Sequence, residues 1–217
     1  MPSGDCERLV DGFLAQPVNA VSSLAFVLVG TAVMVWRRGG RQAVLGWIFG
    51  LVLVLVGLGS LALHGPGGTI AGWAHDASIT ALLILFVAVE IGHRAGWSTR
   101  QIETAWAVAA AGLVLVEGAW PMVADPLNAP LAFVAVLGVV GPRVAPRRSR
   151  LYRLREGRRR AVPVGVVILG TGALIMLLSR TGGPFCAPDA LVQGHAIWHV
   201  LAATGTGIYA VSVSIGV

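Results

Sequence analysis

AVLGWIFGLVLVLVGLGSLALH, residues 43–64, decides which solvent this chain folds in. It runs without a charged side chain until His64 closes it, and as a helix it is long enough to cross a hydrocarbon core of about 30 Å. Similar apolar runs lie on either side, at roughly 17–36, 72–92, 102–120, 127–142, 162–179 and 194–214. The expected architecture is therefore all-α: one seven-helix transmembrane domain over residues 1–217. The run at 127–142 is the shortest and is bracketed by Pro130 and Pro142. Gly and Pro inside several runs are tolerated where helices pack in a bundle.

Composition agrees. The chain is 56% hydrophobic and 12% charged, with a mean hydropathy of +0.79. A soluble domain of this size could not cover its surface with so few charges. Residues 1–12 are polar and the first apolar run is long enough to span, so it is expected to stay in place and not be removed as a signal peptide.

The net charge of +6 does not point to nucleic acid, because of where the charge lies. All sixteen basic residues are arginine. Fourteen of them, Arg37, Arg38, Arg41, Arg94, Arg100 and the nine from Arg143 to Arg160, follow the first, third and fifth runs. Only Arg8 and Arg180 fall on the other side. The positive-inside rule then predicts an outside N-terminus and a cytoplasmic C-terminus. The arginine-rich segment reads as a solvated loop facing lipid phosphates. The absence of lysine, with abundant Ala, Gly and Val, suggests a bacterial source and hence a plasma membrane.

On that topology Cys6 and Cys186 both face an oxidising compartment. They can form a disulfide; two unrelated thiols are the alternative.

Titratable groups inside membrane segments are costly and need a partner or a role. His64 ends the second span, with Ser60 one turn deeper. His75 and Asp76 lie in the first outer turns of the third span, and His195 and His199 in the outer third of the seventh. Four of the five histidines thus share one stratum. His195 and His199 are four residues apart, so both rings leave one helix face. With His64 they make a three-histidine set with an open fourth position, which matches a catalytic zinc better than a closed structural one. Zinc lowers the pKa of bound water to about 7. A carboxylate, Asp76, can take up the proton and pass it to a leaving amine, and the Ser60 hydroxyl can stabilise an oxyanion. His75 points about 100° away from Asp76 and reads as structural or interfacial. His93 and Glu90 need no role beyond the cytoplasmic interface. Glu117 stands near the outer end of the fourth span, where it can line the same cavity, although no spacing assigns it there. Trp73, Trp120 and Trp198 read as an outer aromatic belt.

The motifs Gly59-Ser60-Leu61-Ala62-Leu63-His64, Ala74-His75-Asp76 and His195-Ala196-Ile197-Trp198-His199 resemble those of the CREST superfamily of membrane hydrolases. That group includes the alkaline ceramidases, the adiponectin-receptor and progestin-receptor type proteins and the bacterial hemolysin III proteins. The N-terminal Asp5-Cys6-Glu7 and the stretch Gln16-Pro17-Val18-Asn19-Ala20-Val21-Ser22-Ser23 are similar to the alkaline ceramidases in particular. The outside N-terminus agrees with that branch, and the receptor and hemolysin III branch runs the other way.

The resemblance implies zinc on His64, His195 and His199, acid/base work by Asp76, oxyanion binding by Ser60, and a Cys6–Cys186 disulfide. It also implies a calcium site at Asp5, Glu7, Gln16 and Asn19. Here, however, the tryptophan beside the aspartate is missing, the loop is shorter and a glutamine replaces a glutamate, each of which weakens a site for a hard cation. The expected activity is zinc-dependent hydrolysis of an amide bond in a lipid, ceramide-like or another N-acyl lipid. The rival readings are a non-catalytic lipid sensor with structural zinc and a haem protein ligated by His64 and one span-seven histidine. Two histidines one turn apart on a single helix are awkward for the latter.

Overall fold

The computed structural model describes residues 4–36, 43–141 and 151–214, with the backbone alone at Ala43, Asp125, residues 151–160 and Ser214. The described helices are α1 (Pro17–Ser22), α2 (Leu24–Trp36), α3 (Ala43–His64), α4 (Thr69–Ala95), α5 (Thr99–Ala119), α6 (Ala124–Val140), α7 (Leu151–Leu178) and α8 (Gly194–Ser214), with a 3-10 turn at Pro121–Val123. Seven segments are long and apolar enough to cross a membrane: Pro17–Trp36, Val44–His64, Thr69–Ala95, Thr99–Ala119, Pro121–Val140, Ala161–Leu178 and Gly194–Val213. The expected all-α, seven-span architecture is the one found. Arg37, Arg38, Arg41, Pro142 and the arginines at 143–150 lie outside the described residues.

Three edges differ from expectation, each for a local reason. The first span is two helices broken at Ser23, where the hydroxyls of Ser22 and Ser23 both donate to Asn19 O (2.9 and 2.8 Å) and compete with the backbone ladder. The fifth span begins at Pro121 and takes Pro130 into its interior. The helix of the sixth span, α7, begins at Leu151, so part of the segment expected as a loop continues the helix past its apolar part; arginine is a good helix former.

Helix α4 packs against α3, α5 and α6, and α8 packs against α2, α3 and α7. The turn Gly65-Pro66-Gly67-Gly68 folds α4 back on α3, with Gly67 and Gly68 at φ of 69° and 95°. Above that turn, Gly59 lets the two backbones touch, since a Cβ there would lie 2.8 Å from Ala74 O. The motif halves Ser60–His64 and His75–Asp76 are thereby brought side by side. At the opposite end of the bundle Phe49, Phe86 and Tyr209 stack edge-on and tilted, with centroids 4.5–5.7 Å apart. There the Tyr209 hydroxyl donates to Glu90 Oε1 (2.7 Å). Glu90 is fully buried, so it belongs between helices and not at the interface expected for it.

Residues 4–16 form a strap across the histidine end. Asp5 bridges to Arg180, Thr181 N donates to Gly4 O (3.1 Å), and Cys6 is bonded to Cys186. Arg8 pairs with Asp189 (2.7 Å). On its other flank the strap is tied to the α3–α4 turn by Ala15 N to Gly65 O (3.1 Å) and Gln16 N to His64 O (2.8 Å). Glu7 then starts α1, its two carboxylate oxygens accepting from Val18 N (2.7 Å) and Asn19 N (2.8 Å).

Candidate metal centre

His64 ends α3, and His195 and His199 occupy the first two turns of α8. One ring nitrogen from each lies within 4.8 Å of the others. The ring centroids are 5.0 Å (His64–His195), 5.3 Å (His64–His199) and 4.5 Å (His195–His199) apart. Among the described residues this is the one convergent group of three or more His, Cys, Asp or Glu.

The hydrogen bonds assign the tautomers. Gln16 donates through Nε2 to Glu7 O (3.1 Å), which fixes its amide and leaves Oε1 facing His64 Nδ1 (2.7 Å). An amide oxygen only accepts, so Nδ1 carries the hydrogen. Ser22 spends its hydroxyl hydrogen on Asn19 O and accepts from His199 Nδ1 (2.8 Å). His195 Nδ1 lies 3.0 Å from Asp5 Oδ1 as an ion-pair contact, off the line of a straight hydrogen bond. A carboxylate too is an acceptor. Gln16 and Ser22 therefore hold two of the Nδ1 atoms by hydrogen bonds, while Asp5 faces the third; with the hydrogen on Nδ1, each Nε2 presents its lone pair. The Nε2 atoms of His64 and His195 are buried without any protein partner, and His199 Nε2 has only the Ser60 hydroxyl at 3.3 Å. Orphaned buried acceptors are rare, and two of them beside a third ring nitrogen with one long contact fit a cation. A tetrahedral zinc with bonds of about 2.1 Å holds its nitrogens roughly 3.4 Å apart, and here one nitrogen of each ring lies within 4.8 Å of the others. Outer partners of this kind orient metal-ligating rings.

Asp5 is the surprise of the site. Its other oxygen stands 3.8 Å from His64 Nδ1. Burial pushes its carboxyl up, but the neighbouring His195, then His64 and His75, outweigh burial and hold it below the usual carboxylate range. Asp5 and Gln16, expected in a calcium site, thus stand on the histidines. Glu7 is committed to the α1 amides, and Asn19 keeps both side-chain polar atoms buried without a partner. A topological signal for Asp5 existed, since the strap and the histidines share one end of the bundle. Nothing in spacing singles out Gln16, Ser22 or Ser23.

Ser60 is buried and hydrogen-bonded to Ser23 Oγ (2.8 Å), beside His199 as its one-turn offset from His64 suggests. Asp76 pairs with its neighbour His75 through Oδ1 and Nδ1 (2.9 Å) and makes no hydrogen bond to the three histidines. His75 is closer to the centre than a purely interfacial residue, its ring 6.4 Å from that of His64. Glu117 does not join the centre; its partner is Thr80, which also contacts Asn128. Trp73 and Trp120 are exposed, but Trp198 packs against the core beside Gly172 of α7, so it is not part of a belt. An open, shallow groove of about 430 Å³ lies on α1, lined by Pro17, Val18, Val21 and Ser22.

What the site can do is bind a divalent ion in a water-poor pocket with a hydroxyl alongside. No protein-family model matches the chain, and no curated protein matches it in sequence, so its chemistry rests on these residues.

Proposed function

We propose that the chain is a zinc-dependent intramembrane hydrolase that cleaves an amide bond in a lipid, as the resemblance to the alkaline ceramidases implies. The observation that carries the reading is the convergence of three histidines, two with partnerless buried Nε2 atoms and the third with only the Ser60 hydroxyl beside its own. Zinc held there supplies Lewis-acid polarisation of a carbonyl and a water acidified to near neutrality. Ser60, whose single hydrogen goes to Ser23 Oγ in this arrangement, would turn it toward the oxygen that gains charge. Asp76, paired with His75 beside the His64 ring, would take up and return a proton. The groove along α1 offers an apolar path for an acyl chain. On this reading the centre lies near the extracytoplasmic face of a bacterial plasma membrane, a side that the arginine distribution favours.

The test couples metal analysis of the purified protein to fatty-acid release from a panel of N-acyl lipids. We expect about one zinc per chain, release from at least one lipid, and a fall of about 10²–10³-fold in kcat for Ser60→Ala. A zinc-loaded protein that cleaves none of the lipids, with Asp76→Asn indistinguishable from wild type, would leave the sensor reading in its place.

A further inference from the structure

Glu117 is the buried acid that the metal centre does not use. It lies on α5, a helix turned mostly toward the surroundings, yet is only 1% exposed. Its Oε1 contacts Thr80 Oγ1 of α4. Thr80 Oγ1 in turn lies 2.7 Å from Asn128 Oδ1 of α6. Glu117 Oε2 is buried with no partner at all.

The count of hydrogens does not close if Glu117 is an anion. A threonine hydroxyl has one hydrogen, and here it faces two acceptor oxygens. Turning the Asn128 amide over supplies a donor to Thr80, but it leaves Glu117 as a carboxylate with one hydrogen bond and a bare second oxygen. No cation pairs with Glu117 among the described residues. The titratable groups on the helices packed against it add no positive partner: α4 brings Asp76, paired with His75, one turn before Thr80, and α6 brings Asp125 three residues before Asn128. An uncompensated carboxylate between membrane helices is the costliest arrangement available to these atoms.

A proton removes the charge and closes the count of hydrogens. A neutral Glu117 donates to Thr80, and Thr80 donates to Asn128, in one continuous chain, while the unpartnered Oε2 becomes a neutral carbonyl oxygen, far cheaper to bury than half of a carboxylate. A metal cation does not fit as well. Oxygens 2.7 Å apart are sharing a hydrogen, whereas an ion at about 2.3–2.6 Å from each would spread them.

We propose that Glu117, Thr80 and Asn128 form a proton-binding site at the junction of α4, α5 and α6, in which Glu117 is a neutral carboxylic acid. The site is separate from the three histidines. It places an exchangeable proton one helical turn along α4 from Asp76; that last link rests on the hydrolase reading, and the proton site itself does not.

Infrared spectroscopy of the full-length protein in lipid nanodiscs tests it. At neutral pH the wild type should show a protonated carboxyl C=O band that shifts in heavy water, survives Asp76→Asn and vanishes in Glu117→Gln. Thr80→Val, which removes the acceptor and keeps the shape, should move the same band to higher frequency, and it serves if the glutamine variant does not fold. No band in the wild type, or a band unchanged by both Glu117→Gln and Thr80→Val, overturns the proposal. So does thermal stabilisation by sodium chloride over choline chloride that disappears in Glu117→Gln, because the ligand would then be a cation. The spectrum reads protonation whether or not any lipid is cleaved, so an inactive protein that keeps the band sinks only the hydrolase reading.

Discussion

Helices α3, α4 and α8 and helices α5, α6 and α7 are all able to cross a membrane, yet they end in different surroundings. In their most apolar windows 56, 56 and 61% of the residues of the first three are buried, against 17, 18 and 17% for the others. Apolarity does not sort them. The span of α8 is less apolar than that of α7, which ties with α3 as the most apolar of the seven. Lipid tails are as good a solvent for leucine as another helix is, so greasiness reports that a segment spans and not which way it faces. Polar groups and close-packing glycines decide position instead. The three inner helices are the ones that carry Ser60, His64, His75, Asp76, His195 and His199.

This contrast can be broken at several points. The largest effect should come from His199→Ala, which removes one of the three convergent nitrogens: stoichiometric zinc should be lost in metal analysis of the purified, folded protein. Retention of a full equivalent of zinc would mean that the ion is held elsewhere. Next, Phe49→Ala opens a hole in the aromatic cluster of α3, α4 and α8 and should cost about 3–5 kcal/mol in an unfolding titration. Asp5→Asn keeps the shape of the strap but removes the charge beside His195, and zinc affinity measured by chelator competition should fall about 10–100-fold. An unchanged affinity would show that the strap covers the centre without holding it. The smallest effect belongs to the outer helices. Leu115→Ala on α5 and Val167→Ala on α7, both strongly exposed, should change stability by no more than about 0.5 kcal/mol. A larger cost at either would mean that this face is covered by another molecule.

What was legible in the sequence follows the same division. A span is a property of a continuous run, so seven spans could be counted from residues 17–214, and the pair His195 and His199 declared itself by helical spacing. Ser60 could be set under His64 for the same reason. The break at Ser23 was not visible, because it depends on two hydroxyls turning back onto Asn19 O. Glu90 looked interfacial because depth along a helix says nothing about direction around it, and the direction is set by Tyr209, 119 residues away. Asp5 and Gln16 were the least legible. They reach the histidines from a segment without regular structure, where no periodicity aims a side chain.

The strap also bears on how the protein is made. Residues 5 and 6 find their partners at Arg180, Cys186 and His195, and the disulfide alone joins positions 180 apart in the chain. A ribosome delivers the first of these groups before the first span and the others only after the sixth. The N-terminal segment must therefore wait, uncommitted, through the insertion of six spans, and the centre can close only when the seventh arrives. A chain cut short before α8 holds one of the three convergent histidines and has no His195 for Asp5 to face, so any metal bound there would also report that α8 has been built.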